Sequence, residues 1–103
     1  MPNRELFSVS ADELDGRCVL RPVGELDVAA VPEMQARMSK LLEDCPNLEI
    51  DLGEVTFLDS SGLRLLLDAK QRCAQAEGRL TLSNPSGEVL RVIDLTGLTP
   101  VLL

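Results

Sequence analysis

Histidine is absent from this 103-residue sequence, and aromatic side chains make up only 2% of it. Without histidine the chain lacks the usual general base of serine hydrolases and the commonest metal ligand. Few aromatic rings leave little for single-stranded nucleic acid to stack on, and a net charge of −7 repels phosphate backbones. These absences argue against an enzyme, a metal site and direct nucleic-acid binding.

Long apolar runs are also missing. No stretch approaches the roughly 20 residues that a membrane-spanning helix needs. No signal peptide precedes the first apolar segment. We therefore expect a cytoplasmic protein without membrane insertion and without a cofactor.

Cysteine is sparse and irregularly placed. Cys18, Cys45 and Cys73 lie far apart and form no C-x-x-C pair. Their odd number predicts free thiols in a reducing compartment, with each side chain buried as a small hydrophobe. A thiol-based sensor, with Cys45 or Cys73 as the reactive group, remains an alternative.

The hydrophobic side chains that are present are aliphatic, and they make up most of the hydrophobic 45% of the chain. Leucine, valine, isoleucine and methionine must therefore fill the core. The length corresponds to a single domain, residues 1–103. This composition favours a compact α/β domain.

The first segment predicts a β-hairpin. Apolar and polar residues alternate over residues 7–11, and a second strand is expected over residues 17–23. Asp15 and Gly16 form the turn signal between them. Pro22 indicates that the second strand ends nearby or lies at a sheet edge.

An amphipathic helix is predicted within residues 24–44. Its apolar face contains residues at helical spacing: Val28, Val31, Met34, Met38 and Leu41. Asp27 is placed to be its N-cap, and Pro32 is expected in the first turn, where a missing N–H does no harm.

The next segment predicts a strand, a helix and a strand. Residues 48–52 and 79–83 are short apolar strands, and residues 61–77 have the period of a helix. Residues 53–58 are expected to be a connection held against the core. Gly78 is a candidate C′ residue that ends the helix.

A last helix is expected to begin at Ser86, its N-cap, and to end at Gly97. The apolar residues 99–103 would then form a final strand. The predicted order is ββαβαβα, which corresponds to a sheet with helices packed against it.

The sequence FLDSSGL, residues 57–63, places an aspartate, two serines and a glycine where a strand meets a helix. Asp59 or a serine can cap the helix, but a cap explains only one of the four residues. A serine nucleophile has no histidine to activate it, and Lys70 lies more than two turns away. A phosphate-binding loop is disfavoured by the adjacent carboxylates.

The remaining hypothesis is that a serine is itself phosphorylated, which would add about −1.5 to −2 charges beside a helix N-terminus.

Three segments in order resemble the STAS domain family, most closely the bacterial anti-sigma factor antagonists. They are GELD at residues 24–27, FLDSSGLRLLL at residues 57–67 and LSNPSGEVLRVIDLTGL at residues 82–98. The resemblance covers residues 5–101. It implies the STAS fold, a central mixed β-sheet with helices packed mainly on one face.

The resemblance also implies a function and a site. The serine after the aspartate, Ser60, would be phosphorylated by a GHKL-type serine kinase that is itself the anti-sigma factor. The unphosphorylated protein would bind this kinase and release the sigma factor, and a PP2C-type phosphatase would reverse the modification. Partner contacts are implied for Asp27, Asp59, Ser61 and Gly62.

Two departures from the family pattern are visible. The sequence ends at Leu103, so the family's longer C-terminal helix is expected to be missing or truncated, and the apolar end could face a partner or a homodimer. Arg64 stands where a small residue is common, and we expect it to contribute to the docking surface and to pair with a phosphate on Ser60.

A rival hypothesis keeps the fold and drops the phosphorylation cycle. The domain would then be a scaffold or accessory subunit, in a stressosome-like assembly or a lipid-transport complex. It would act as a binding module only.

Overall fold

The computed structural model describes residues 7–103. Residues 1–6 of the predicted single domain lie outside the described part. In chain order the elements are β1 Ser8–Leu14, β2 Arg17–Leu26, α1 Val31–Leu42, β3 Leu48–Asp51, β4 Val55–Leu58, α2 Ser60–Gln75, β5 Leu80–Ser83, α3 Gly87–Leu95 and α4 Thr99–Leu102. No helix within residues 7–103 is both long and apolar enough to cross a membrane.

The five strands form one mixed sheet in which β2 has three neighbours. The order is β1-β2-β3-β5, and β4 also pairs with β2. β1 is antiparallel to β2, as the predicted hairpin requires, and the other pairings are parallel. β2 pairs with β3 over residues 18–20 and with β4 over residues 24–26. β2 is therefore the central strand, and it positions β3 and β4 at different points along its length.

Pro22 lies inside β2, not near its end as predicted. The N–H groups of Cys18 and Gly24 point to the same side of β2, toward Asn47 and Glu54. Backbone N–H groups alternate along a strand, so the nitrogen of Pro22 points to that side as well. It falls between the stretch paired with β3 and the stretch paired with β4, where no ladder hydrogen bond is required.

The core lies on one face of the sheet, between the strands and the helices. Alternate residues of β2 and β3 are buried there, and α1 and α2 each contribute one apolar stripe. Completely buried members include Leu20, Leu26, Met34, Met38, Ile50, Leu66 and Ile93. The opposite face carries ion pairs: Arg21 pairs with Asp12 and Asp51, and Arg17 pairs with Glu49. The prediction of helices mainly on one face is confirmed.

Two predicted element types were wrong. The expected connection at residues 53–58 contains β4, a short strand that pairs with β2 alone. The expected final strand is the one-turn helix α4, in which Leu102 is buried. Both segments are short and apolar, and periodicity cannot distinguish a strand from a helical turn at that length. The last element of the described residues is thus the four-residue helix α4, and no longer C-terminal helix follows it within residues 7–103.

The end of α2 differs from the prediction in one residue. Glu77, not Gly78, adopts the left-handed conformation after the helix, with φ 64°. Gly78 is required for another reason, because a Cβ there would overlap the backbone carbonyl of Pro46. The glycine allows the chain after α2 to pass close to the segment that leads into β3.

The expectation of three free thiols was wrong. Cys18 and Cys45 form a disulfide, with their Cα atoms 6.1 Å apart, and Cys73 is free and buried. The pair is 27 residues apart in sequence, and only the packing of the hairpin against the end of α1 brings it together. Sequence spacing gives no sign of this contact.

Candidate functional site

The motif at residues 59–62 lies at the start of α2, directly after β4. Asp59 is the N-cap: its Oδ1 accepts hydrogen bonds from the backbone N–H of Ser61 at 2.9 Å and of Gly62 at 3.0 Å. Its own backbone is extended, as an N-cap requires. Because Asp59 occupies these first-turn donors, they are not available to cradle a bound phosphate, which agrees with the argument against a phosphate-binding loop.

Ser60 is the first residue of α2, and its side chain is exposed. Among the described residues its Oγ has no hydrogen-bond partner, whereas Ser86 Oγ at the start of α3 both caps a helix and donates to the carbonyl of Val55. Ser61 is half-buried. Of the two serines in the motif, Ser60 is therefore the more accessible acceptor.

Gly62 is buried in the first turn of α2. A Cβ at this position would overlap the backbone carbonyl oxygen of Leu26 and the side chain of Leu58. Gly62 is thus required because the first turn of α2 packs closely against the end of β2. The contribution of Gly62 to partner binding stays a prediction. Its contact with Leu26 sets how closely α2 approaches the end of β2.

Asp27 is not the N-cap of α1, contrary to the prediction. Its Oδ1 accepts hydrogen bonds from Ala29 N at 3.1 Å and Ala30 N at 3.2 Å, which closes a separate turn. α1 begins only at Val31, with Pro32 in its first turn as expected. Val28 therefore lies in the turn, not on the apolar face of the helix, and its side chain is 69% exposed.

An open groove of about 570 Å³ separates the first turns of α1 and α2. Its lining consists of Val28, Val31, Pro32, Gln35, Ser60, Ser61, Arg64, Leu65 and Asp68. Arg64 is the cation of this lining and Asp68 the anion. Asp68 pairs with Arg72 at 3.9 Å, whereas Arg64 makes no ion pair with any of residues 7–103. Ser60 and Arg64 thus share the α2 wall of a groove that combines polar side chains with the apolar Val28, Val31, Pro32 and Leu65.

The α1 wall of the groove was not predicted. The sequence analysis assigned Val31 only to the core, and it gave no function to Gln35. Both are placed beside Ser60 by the packing of α1 on α2. No local pattern reports that packing, so the sequence carries no signal for this half of the site.

One group of side chains in the described range has ligand atoms close enough to hold a metal ion. Atoms of Glu13, Cys18 and Cys45 lie within 4.8 Å of one another. With the two sulfurs bonded to each other, neither is a thiolate, which is the form that binds metal. The group is also remote in sequence from the Ser60 groove.

Comparison with known proteins places this arrangement in a family. The STAS domain model matches residues 8–102. The chain is 32% identical over 79 residues to the anti-sigma-B factor antagonist of Bacillus subtilis, an alignment that covers 77% of this chain and 72% of that protein.

Solved structures agree in fold. The chain superposes on an anti-sigma factor antagonist from Mycobacterium paratuberculosis with a TM-score of 0.83 and 28% identity, over 93% of this chain and 82% of the other. It also superposes on the Bacillus cell fate determinant SpoIIAA in its phosphorylated form, with a TM-score of 0.73 and 28% identity, over 90% and 86% of the two chains. The match spans nearly all of the described residues, and the chain belongs to the STAS domain family.

Proposed function

We propose that this chain is an anti-sigma factor antagonist whose binding is switched by phosphorylation of Ser60. The observation that carries the proposal is the position of Ser60: it is exposed, it opens α2, and it lies at the edge of the groove between α1 and α2. Relatives that are named anti-sigma factor antagonists, and a relative with a structure in a phosphorylated form, support it.

The geometry suggests how a phosphate would act. Asp59 already satisfies the Ser61 and Gly62 amides, so a phosphate on Ser60 would not be drawn into the helix and would remain at the groove edge. It would add about −1.5 to −2 charges beside a carboxylate. The favourable helix dipole leaves the fold intact. The change would therefore be felt mainly by a partner that docks in the groove.

The proposed partner is an anti-sigma factor that is also a serine kinase, of the GHKL type. The kinase would transfer the γ-phosphoryl group of ATP to Ser60 Oγ, and a phosphatase of the PP2C type would remove it. Both would act in the cytoplasm, where ATP is supplied. The chain itself is then a binding protein and a kinase substrate, without catalysis of its own and without contact with DNA.

Docking in the groove has a physical basis. Val28 lines the groove and is 69% exposed, and its burial in a complex would contribute roughly 1–2 kcal/mol. A polar rim around an apolar centre is the usual composition of a protein interface. Ser60 lies on that rim, where added charge interferes directly with burial of the apolar surface.

The test is intact-mass analysis of the purified protein before and after incubation with ATP and a lysate of the source cells. One added phosphoryl group in the wild type and none in Ser60→Ala would support the proposal. Ser61→Ala is the matched control and should still be modified. No modification under any growth condition, or modification that persists in Ser60→Ala, would contradict it and favour the scaffold hypothesis.

A further inference from the structure

The Cys18–Cys45 disulfide lies beside a second groove, away from Ser60. This groove of about 360 Å³ is open to solvent, and its lining comes from the hairpin and from α1: Ala11, Glu13, Cys18, Arg37, Lys40, Leu41 and Asp44. Cys18 is part of that lining, whereas Cys45 is not. Of the two bonded residues, Cys18 is therefore the one that borders the groove, although both are nearly completely buried.

We propose that Cys18 and Cys45 are a reversible oxidation site, which exchanges with low-molecular-weight disulfides and thiols through this groove. Three observations carry the proposal: the bond itself, the position of Cys18 at the groove, and apolar surroundings into which two free cysteines also fit. It is independent of the proposed phosphorylation of Ser60.

The reduced state should remain folded. Both cysteines belong to the hydrophobic core and are 3% and 2% exposed. A buried free cysteine packs as a small hydrophobe, so opening the bond leaves two side chains that still fit an apolar site. A site that is compatible with the fold in both states can be oxidised and reduced repeatedly.

The chemistry balances with a disulfide RSSR as oxidant. The Cys18 thiolate attacks one sulfur of RSSR, which forms a mixed disulfide and releases RS⁻. The Cys45 thiolate then attacks the Cys18 sulfur, which closes the protein disulfide and releases a second RS⁻. Two electrons pass from the cysteines to the reagent, and the two thiol protons end on the released thiolates. Excess RSH drives the same steps backward.

The third cysteine does not interfere. Cys73 is completely buried in α2, and desolvation by burial raises the pKa of its thiol, outweighing the lowering by the Leu48 backbone hydrogen bond and by Arg72. Cys73 also does not line the groove, so a reagent that reaches Cys18 there does not meet Cys73. The pair can therefore cycle without disulfide exchange with Cys73.

The bond joins the start of β2 to the segment after α1, which are also linked by the hydrogen bond from Cys18 N–H to the Asn47 carbonyl. Cys18 lies at the start of β2, and Cys45 follows α1 by three residues. The bond closes a loop in which the two cysteines are 27 residues apart in sequence, and closing such a loop restricts the unfolded chain substantially. Reduction should lower the unfolding midpoint by roughly 10 °C or more, and local opening should concentrate at residues 43–47, with little change in α2.

The experiment uses the wild-type protein in glutathione buffers of graded GSH/GSSG ratio with a metal chelator, followed by acid quench, denaturation and maleimide labelling. Reduced protein should carry three labels and oxidised protein one, because Cys73 stays free. The Cys73→Ala variant should carry two labels when it is reduced and no label when it is oxidised. Cys45→Ala should accumulate glutathione on Cys18 and never close the bond.

Unfolding midpoints and backbone hydrogen exchange are recorded for the same samples. A single reversible transition, with the lower midpoint and faster exchange at residues 43–47 in the reduced form, is the expected result. A bond that never forms in the most oxidising buffer, or one that opens only after the protein is denatured, would overturn the proposal. Closure that requires Cys73 would overturn it too.

Discussion

Leu26 lies opposite Leu58 in the parallel pairing of β2 and β4. Asp27 and Asp59 follow these two residues directly, so two carboxylates leave the same edge of the sheet side by side. Each uses its Oδ1 to accept two backbone N–H groups of the turn that follows it. The same local geometry is repeated on neighbouring strands, and the result is an acidic edge next to Ser60.

This edge predicts charge-dependent docking. Asp27→Asn and Asp59→Asn keep an oxygen acceptor, so each should change the free energy of unfolding by less than about 0.5 kcal/mol. A basic partner surface should bind each variant more weakly, with a smaller loss on raising the salt concentration. Affinity titrations at two salt concentrations, with the partner recovered by the phosphorylation experiment, check this.

Asp59→Ala is the control for the cap itself. It removes the acceptor and should lower the free energy of unfolding by about 1 kcal/mol. If both asparagine variants bind the partner as tightly as the wild type at every salt concentration, the acidic edge plays no part in docking.

Gly62→Ala should destabilise the fold by roughly 1–3 kcal/mol, because the added methyl group overlaps the Leu26 carbonyl and the Leu58 side chain. Gly87→Ala is the matched control, since Gly87 also lies at the start of a helix but has nothing within 4 Å of an added Cβ. That change should be neutral or stabilise by up to about 1 kcal/mol. Urea unfolding of the two variants measures both effects, and equal stabilities would show that α2 tolerates a larger separation from β2.

Ser60→Ala should bind the partner kinase constitutively, and Ser60→Asp should bind weakly. Alanine removes the phosphate acceptor while leaving the cap on Asp59 in place, and aspartate adds a permanent charge at the groove edge. Isothermal titration of both variants in the absence of ATP gives the comparison, with Ser61→Ala expected to follow the unphosphorylated wild type. Equal affinities of the two Ser60 variants would rule out a switch at this residue.

Arg64 lies one helical turn after Ser60 and lines the same groove. In the phosphorylated protein a salt bridge from its guanidinium to the phosphate should stabilise the fold and shield the phosphate. Arg64→Ala should therefore raise the rate of dephosphorylation by about two- to fivefold, which corresponds to the ~0.5–1 kcal/mol of such a pair. The unphosphorylated variant should be as stable as the wild type.

Arg91→Ala is the comparison variant for Arg64, because Arg91 is also an exposed arginine on a helix but lies outside the groove lining. Phosphatase time courses on both phosphorylated variants separate a local effect from a general loss of positive charge. An unchanged rate in Arg64→Ala would show that the phosphate is not paired with this residue.

Local signals predicted much of the fold. The turn at Asp15 and Gly16 and the cap at Ser86 involve residues close in sequence, and both were predicted correctly. Asp27 misled because an aspartate that closes a turn and one that caps a helix use the same hydrogen bonds to the following N–H groups. The sequence cannot distinguish them when the helix begins only four residues later, at Val31.

Long-range packing could not be predicted in the same way. The bond between Cys18 and Cys45 and the contact of Gly62 with Leu26 both join residues that are distant in sequence. Glycine is unfavourable in the first turn of a helix, which is a general sign of close packing, but such a sign does not identify the neighbour of Gly62. For Gln35, an ordinary exposed helical residue, no such signal exists.

Cys73 predicts how stability changes at alkaline pH. Burial raises the pKa of its thiol above the ordinary value of 9.0, so above that pH the unfolded chain loses this proton before the folded one does. The folded state then binds more protons, and stability must fall as pH rises from about 9 through the folded pKa.

The Cys73→Ala variant, which leaves a small cavity, should be less stable than the wild type near pH 8. This deficit in the free energy of unfolding should shrink by about pH 10. Few other groups titrate in this pH range, because the chain has no tyrosine and the disulfide-bonded Cys18 and Cys45 do not titrate. Urea unfolding of the oxidised proteins across this range measures the difference, and a deficit that stays constant with pH would show that the thiol does not ionise differently in the two states.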